Sequence, residues 1–334
     1  MDVLLLWPAV RSELELIEEE WPSWVVPHVR NELSQAQYGS LLATVEVIVG
    51  QMGSIPVGDL DRTRRLRLIH TLGHGTDGFL TPEIVATLRE RSVAVATSNS
   101  SAVPLAEFAI MAMTVLARRV IPLQRALVAS GDWSVDLWAR RSEGFLGGEL
   151  HGSVLGILGY GNIGRELHSR AATFGMRVIA LSRDPGRLAA AGLDRVVGWD
   201  ELGGFLGGCD HVVLSVPLTQ ETRHLIDRSA VQSMRHGAYL INLSRGAVVD
   251  EEAVWQALDS GQLGGAALDV FESEDSRGRT GYPTDRPLHA YNTLLTPHYA
   301  GSTAEARQRA LQLVGRNLEA LRSDGPIENS IELG

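Results

Sequence analysis

Lysine is absent from the 334 residues, and all 30 basic side chains are arginine. That absence excludes Schiff-base chemistry on a lysine, a lysine-bound cofactor aldimine and the P-loop lysine that grips a nucleoside triphosphate. Cysteine is nearly as scarce. The single Cys209 can close no internal disulfide and has no neighbour for a Cys-x-x-Cys metal or redox motif, which fits a reducing cytosol. Basic residues are outnumbered 30 to 40 by acidic ones, and the net charge of −10 argues against a general affinity for nucleic acid or anionic membrane. No run approaches the roughly 18 apolar residues that span a bilayer. The apolar start, residues 1–10, carries Asp2 where a signal peptide is positive and is interrupted by Trp7-Pro8, so it reads as a first strand. With 44% hydrophobic and 21% charged residues, the chain is an ordinary globular one, long enough for about two domains.

Glycine, in contrast, is plentiful at 35 residues, so a Gly-x-Gly-x-x-Gly match means little by itself. Its setting means more. Gly159, Gly161 and Gly164 follow an apolar strand at 153–158 and open an amphipathic helix at 162–174, and a second strand follows at 176–181. That is a βαβ unit. Gly159 permits the tight turn, Gly161 lets the backbone approach a pyrophosphate, Gly164 lets helix and strand pack closely, and the free N–H groups of the helix start face the phosphates. The unit predicts a dinucleotide site.

Around it the chain alternates between strands and helices. Strands are expected at 3–7, 45–49, 66–72 and 93–97, and helices at 13–20 and 81–90, the latter with a Thr81 cap and Pro82 at its first position. A nearly all-round apolar helix carrying Glu107 is expected over 104–123, buried between domains or in a subunit interface. Residues 131–148, with Trp133 and Trp138, read as an ordered excursion. Further strands are expected at 195–199, 211–216, 238–243, 266–270 and 293–296, with helices at 251–258 and 303–322. The pattern predicts an α/β chain with doubly wound parallel sheets.

Three strand ends carry residues out of place in a bland loop: Arg245 in 241–246, Glu274 in 268–274 and His298 in 295–301. Ligands bind at the carboxyl ends of strands in open α/β sheets, so the three can converge. Beside a nicotinamide they make one chemistry. A histidine moves a proton near neutrality, a carboxylate stabilises its imidazolium, and a guanidinium grips a carboxylate substrate through paired hydrogen bonds. No metal is called for.

These motifs resemble the D-isomer-specific 2-hydroxyacid dehydrogenases, a likeness that covers nearly the whole chain. It runs through Ala106-Glu107-Phe108, Gly131-Asp132-Trp133, Ser215-Val216-Pro217-Leu218-Thr219, Glu221-Thr222, the 242–246 and 269–274 stretches, and Thr296-Pro297-His298. The resemblance implies that Arg245 orients the substrate, that His298 is the acid/base and that Glu274 pairs with it. It further implies that Asn162 and Ile163 contact the pyrophosphate, that Pro217, Thr222 and Leu243 line the cofactor, and that Asp269 faces the nicotinamide amide. Gly73-His74-Gly75 matches the loop whose N–H groups hold the substrate carboxylate, with His74 either shaping the pocket or only filling space. The fold implied is two Rossmann-like domains, the dinucleotide domain at 102–298 being inserted into a flavodoxin-like substrate domain of 1–101 and 299–334. The cleft would lie between them, and homodimers would form through the dinucleotide domains.

Two departures refine the expectation. Where an NAD enzyme carries an acidic residue for the ribose 2′-hydroxyl, this chain has Ser182-Arg183, which favours NADP(H) over NAD(H), while Asp184 pulls the other way. After Glu274 the family reaches its Pro-Leu quickly, but here residues 275–283 intervene, read first as a solvated filler loop and, as the sharper alternative, as one whose Arg277 or Arg279 selects a second anionic group on the substrate. The reading is a cytoplasmic reductase of a 2-keto acid, glyoxylate or hydroxypyruvate in type, to the D-2-hydroxy acid. The rivals are a corepressor-like dinucleotide sensor and a formate or phosphite dehydrogenase. Glu274 argues against the formate type, which has glutamine there.

Overall fold

Among the described residues every ladder between two strands is parallel, the arrangement that alternating strands and helices demand. The structure is a computed structural model and describes residues 1–50, 57–76, 79–131, 146–188, 191–273 and 283–333. In chain order β1 (Asp2–Leu5), α1 (Arg11–Glu20), β2 (Val26–Val29), α2 (Gln35–Leu42), β3 (Val47–Gly50), α3 (Val57–Leu60), β4 (Leu68–Thr71), α4 (Pro82–Glu90) and β5 (Ala94–Ala96) come first. Next come α5 (Ala102–Ala117), α6 (Val120–Ser130), β6 (Val154–Leu158), α7 (Asn162–Thr173), β7 (Arg177–Leu181) and β8 (Arg195–Val197). Then follow α8 (Leu202–Gly207), β9 (His211–Leu214), α9 (Arg228–Ser233), β10 (Ala238–Asn242), α10 (Glu251–Asp259), β11 (Leu263–Leu268), β12 (Thr293–Leu295) and α11 (Ala304–Arg322).

The chain divides into two units, Met1–Ser101 with Ser302–Gly334, and Ala102–Gly301. The first holds a five-stranded sheet in the order β2-β1-β3-β4-β5. Its β3 is buried along its whole length, as a central parallel strand covered on both faces must be. One face packs on α1 and α11 through Ile17, Trp21, Leu311, Val314 and Leu318, and the Trp21 indole N–H donates to the Leu311 carbonyl at 2.9 Å. The other packs on α2 and α4 through Leu41, Leu42, Ile84 and Leu88.

The second unit holds a seven-stranded sheet in the order β12-β11-β10-β9-β6-β7-β8. Its first strand, β6, lies inside the sheet with β7 on one side and β9 on the other, so the winding reverses there. One face is covered by α5 and α7 through Ala109, Met113, Leu116, Leu167 and Ala171.

The long helix expected over 104–123 is two helices. Arg119 adopts a left-handed backbone (φ 52°) between α5 and α6, and the N–H of Gly148 takes the Ala117 carbonyl at 2.8 Å. The break separates burial as well: α5 lies in the core, whereas no residue of α6 is buried. Trp133 and Trp138 fall in 132–145, outside the described residues.

Candidate active site

The glycine turn is built as its spacing requires. Gly159 has φ 96°, and a Cβ there would stand 2.8 Å from the Ser215 carbonyl oxygen. A Cβ on Gly164 would stand 2.8 Å from the Gly159 oxygen, so that glycine lets α7 lie close on the turn. Gly161 faces open space, and as the residue preceding α7 it supplies no capping side chain. The N–H groups at the start of α7, beginning with Asn162 and Ile163, therefore lack a side-chain cap, which suits an anionic ligand. Ser215, at the end of β9, ties its hydroxyl to the Gly159 carbonyl at 2.7 Å and braces the turn. Tyr160 reaches back to Nδ1 of His168 at 2.6 Å. This open, uncapped turn fits a dinucleotide pyrophosphate.

Ser182 and Arg183 follow β7, with Arg183 exposed. Asp184 does not project freely beside it. Its Oδ1 accepts from the Arg187 N–H at 3.2 Å and caps the turn Gly186–Leu188, and its own N–H donates to the Ser182 hydroxyl at 3.2 Å. Pro217 follows β9. The Thr222 side chain is buried and closes that loop on itself, donating to the Pro217 carbonyl at 2.7 Å and accepting from the Thr219 N–H at 2.7 Å. Leu243 is buried too, so what these two can offer a ligand is backbone and shape.

Arg245, Asp269 and His298 follow β10, β11 and β12, three neighbouring strands. The Arg245 turn is tied internally: Asn242 donates through Nδ2 to the Arg245 carbonyl at 3.0 Å, and Ser244 donates its hydroxyl to Asn242 Oδ1 at 2.8 Å. Gly246 meets the next strand end, where a Cβ would collide with the Phe271 backbone carbonyl. Asp269 is 2% exposed and binds the His298 loop at four points. Its carboxylate accepts from the Thr296 hydroxyl at 2.6 Å, the Tyr299 N–H at 2.8 Å and the Ala300 N–H at 2.9 Å, and its carbonyl accepts from the His298 N–H at 2.7 Å. That loop turns through a left-handed His298 (φ 55°), which leaves the residue exposed. The contact of Asp269 with a nicotinamide amide stays a proposal. Glu274, Arg277 and Arg279 lie outside the described residues.

In the other unit, the Gly73 carbonyl accepts from the Thr71 hydroxyl at 2.8 Å and the Ser98 N–H at 3.1 Å, so the loop bearing Gly73, His74 and Gly75 is held at its start. His74 is exposed, with Nδ1 3.5 Å from the Ser101 hydroxyl.

From β7 to β10 the strands β6 and β9 intervene; at about 4.8 Å per strand the spacing is roughly 14 Å, a reach suited to an extended dinucleotide laid along the sheet's edge. The sequence reading assigned no role to Asn242, Ser244, Gly246, Thr296, Glu251, Glu272 or His224. Gly246 directly after Arg245 at a strand end was the available signal, and Asn242 and Ser244 act within the same turn; Thr296, Glu251, Glu272 and His224 act through contacts distant in sequence. Among the described residues no group of three or more His, Cys, Asp or Glu could hold a metal ion, and no helix is long and apolar enough to cross a membrane.

The profile of the D-isomer specific 2-hydroxyacid dehydrogenase, NAD binding domain family matches residues 110–300. The chain is 33% identical to hydroxypyruvate reductase of Thermotoga maritima over 86% of its own length and 89% of that protein's. It is 29% identical to D-3-phosphoglycerate dehydrogenase of Methanocaldococcus jannaschii across 99% of its length, yet spans only 59% of that longer protein. A crystal structure of a D-isomer specific 2-hydroxyacid dehydrogenase from Polaromonas superposes with a TM-score of 0.78 at 28% identity, covering 99% of both chains.

Proposed function

The chain belongs to the D-isomer specific 2-hydroxyacid dehydrogenase family, oxidoreductases that use a nicotinamide dinucleotide, and from that premise we propose that it reduces a small 2-keto acid to the D-2-hydroxy acid with NADPH in preference to NADH. The backbone N–H groups of Gly73, His74 and Gly75 hold the substrate carboxylate. Arg245 orients the substrate and polarises the keto oxygen. His298 delivers a proton to that oxygen, with Glu274 as its carboxylate partner. The dinucleotide, when bound, supplies the hydride. Asn162, Ile163 and the open face of Gly161 seat its pyrophosphate, and Arg183 meets the 2′-phosphate while Asp184 is occupied in capping its own turn.

The observation that carries the reading is the bracing of the His298 loop by Asp269, which follows β11, the strand paired with β10, after which Arg245 comes. Relatives named glyoxylate reductase and hydroxypyruvate reductase make glyoxylate and hydroxypyruvate the first substrates to try. The protein works in the cytoplasm as a homodimer paired through the dinucleotide unit; α6, with Val128 78% exposed and Val120 and Leu127 also bare, is the apolar surface such pairing would cover.

The test follows nicotinamide absorbance with NADPH and separately NADH over glyoxylate, hydroxypyruvate, pyruvate and phenylpyruvate, with His298→Ala as control. Turnover that favours NADPH and vanishes in His298→Ala is the expected result. Binding of the cofactor with no turnover of any 2-keto acid would overturn it.

A further inference from the structure

The end of β11 is gripped at Phe271 and Glu272 from three directions. Gly246, on the turn after Arg245, lets the Phe271 carbonyl pass where any side chain would block it. The Glu272 N–H donates to Oε1 of Glu251, a largely buried carboxylate in the first turn of α10. The Glu272 side chain meets Nε2 of His224 at 2.6 Å.

His224 is an unusual residue to find there. It holds a left-handed backbone (φ 50°), which costs a non-glycine residue free energy. Its N–H donates to the Ala247 carbonyl at 2.8 Å, and Ile226 and Asp250 continue the contact, so residues 224–226 run beside the segment that follows Arg245. The pair itself is exposed, with side chains 41% and 35% accessible, and an ion pair so placed adds little stability. A strained backbone and a weak pair roughly cancel. What is left is geometric: the pair spans from the segment after Arg245 to the segment after Asp269.

We infer that His224, through Glu272, is a positioning residue for catalysis. It fixes the end of β11 against the Arg245 turn and so sets the spacing between Arg245 and the His298 loop that Asp269 holds. This rests on the keto-acid reading for its effect on turnover, while its effect on the β11 end does not.

The experiment compares wild type, His224→Gly, Glu272→Ala and the double variant by thermal unfolding, by hydrogen exchange at the amides of 269–273, and by kcat and KM for keto-acid reduction. Glycine relieves the left-handed strain, so His224→Gly should melt at or above the wild-type temperature. Its 269–273 amides should nevertheless exchange faster, and kcat should fall on the order of tenfold while the KM for NADPH holds. Glu272→Ala should likewise speed exchange and lower kcat, and the double variant should do no worse, because both remove one contact. Unchanged exchange and kcat in His224→Gly, or additive losses in the double variant, would overturn the inference. If the wild type reduces no 2-keto acid, the functional reading falls on its own and the exchange data alone decide whether the pair holds the β11 end.

Discussion

Asp269 holds His298 from both sides: its carbonyl accepts the His298 N–H at 2.7 Å, and its carboxylate accepts the Tyr299 N–H at 2.8 Å. A left-handed φ of 55° at a histidine needs such support, since that conformation costs a non-glycine residue roughly 1–2 kcal/mol. Asp269→Asn would turn one acceptor into a donor facing an N–H. The loss should be about 2–3 kcal/mol, which in a unit of this size lowers Tm by roughly 4–12 °C. Because His298 would lose its fixed position, kcat should fall further than the shift in stability implies, on the order of tenfold to a hundredfold. A variant with wild-type kcat would show that the loop is held by other means.

Gly246 and Gly161 make opposite predictions for one substitution. At Gly246 the obstacle is the Phe271 backbone, which no rotamer change can clear, so alanine must force β10 and β11 apart at their ends. A loss of about 3 kcal/mol or more is expected, read as a lower urea midpoint. At Gly161 a Cβ meets nothing, and φ is −88°, ordinary for any residue. Gly161→Ala should therefore unfold like the wild type yet bind dinucleotide more weakly, because the added methyl stands where the pyrophosphate approaches. Equal cofactor affinity in Gly161→Ala would remove the phosphate from that turn.

What the sequence made legible follows from how local each signal is. The glycine turn and α7 needed only neighbours, and both stand where spacing put them. Arg245 and His298 could be placed because each follows an apolar strand by a few residues. The strand Val26–Val29 escaped notice because it is a short edge strand containing Pro27, tolerated only where a missing N–H costs no ladder bond. The break after α5 was hidden because the apolar pattern continues through Arg118-Arg119 into Val120, and only a glycine some thirty residues later takes the freed carbonyl of Ala117. The bracing by Asp269 and Glu251 was likewise invisible: a carboxylate's partner in a sheet edge lies on a different strand, and no local pattern records it.

Cofactor choice gives a third prediction. Arg183 is exposed at the end of β7, and the Asp184 carboxylate, still charged, is turned toward the Arg187 N–H, which leaves Arg183 as the group to meet a 2′-phosphate on the proposed reading. A charge-assisted hydrogen bond is worth about 1.5–3 kcal/mol, so Arg183→Ala should weaken NADPH binding roughly tenfold to a hundredfold. NADH, lacking that phosphate, should bind within about twofold of its wild-type affinity. Fluorescence titration of both cofactors settles it: parallel losses would mean that Arg183 touches some group common to the two.

Acid should loosen both units, for the same reason in each. Burial pushes His70 in β4 down to about 4, against a smaller upward pull from the Thr71 carbonyl. Burial likewise takes His211 in β9 down to about 4, opposed by Asp210. Both pKa values are lower in the folded chain than the ordinary 6.5, so near neutrality each histidine is uncharged in both states and stability is unaffected. As pH falls below 6.5 the unfolded chain binds protons that the folded chain refuses, and stability drains away until about pH 4. At about 1.36 kcal/mol per pH unit, each site can remove on the order of 3 kcal/mol. His211→Phe tests this cleanly, because Nδ1 has no partner to lose and the ring can keep its stack on Tyr239 at 5.0 Å between centroids. Urea midpoints at pH 7 and pH 4.5 should converge in the variant relative to the wild type, and an equal acid loss in both proteins would clear His211 of any part in it.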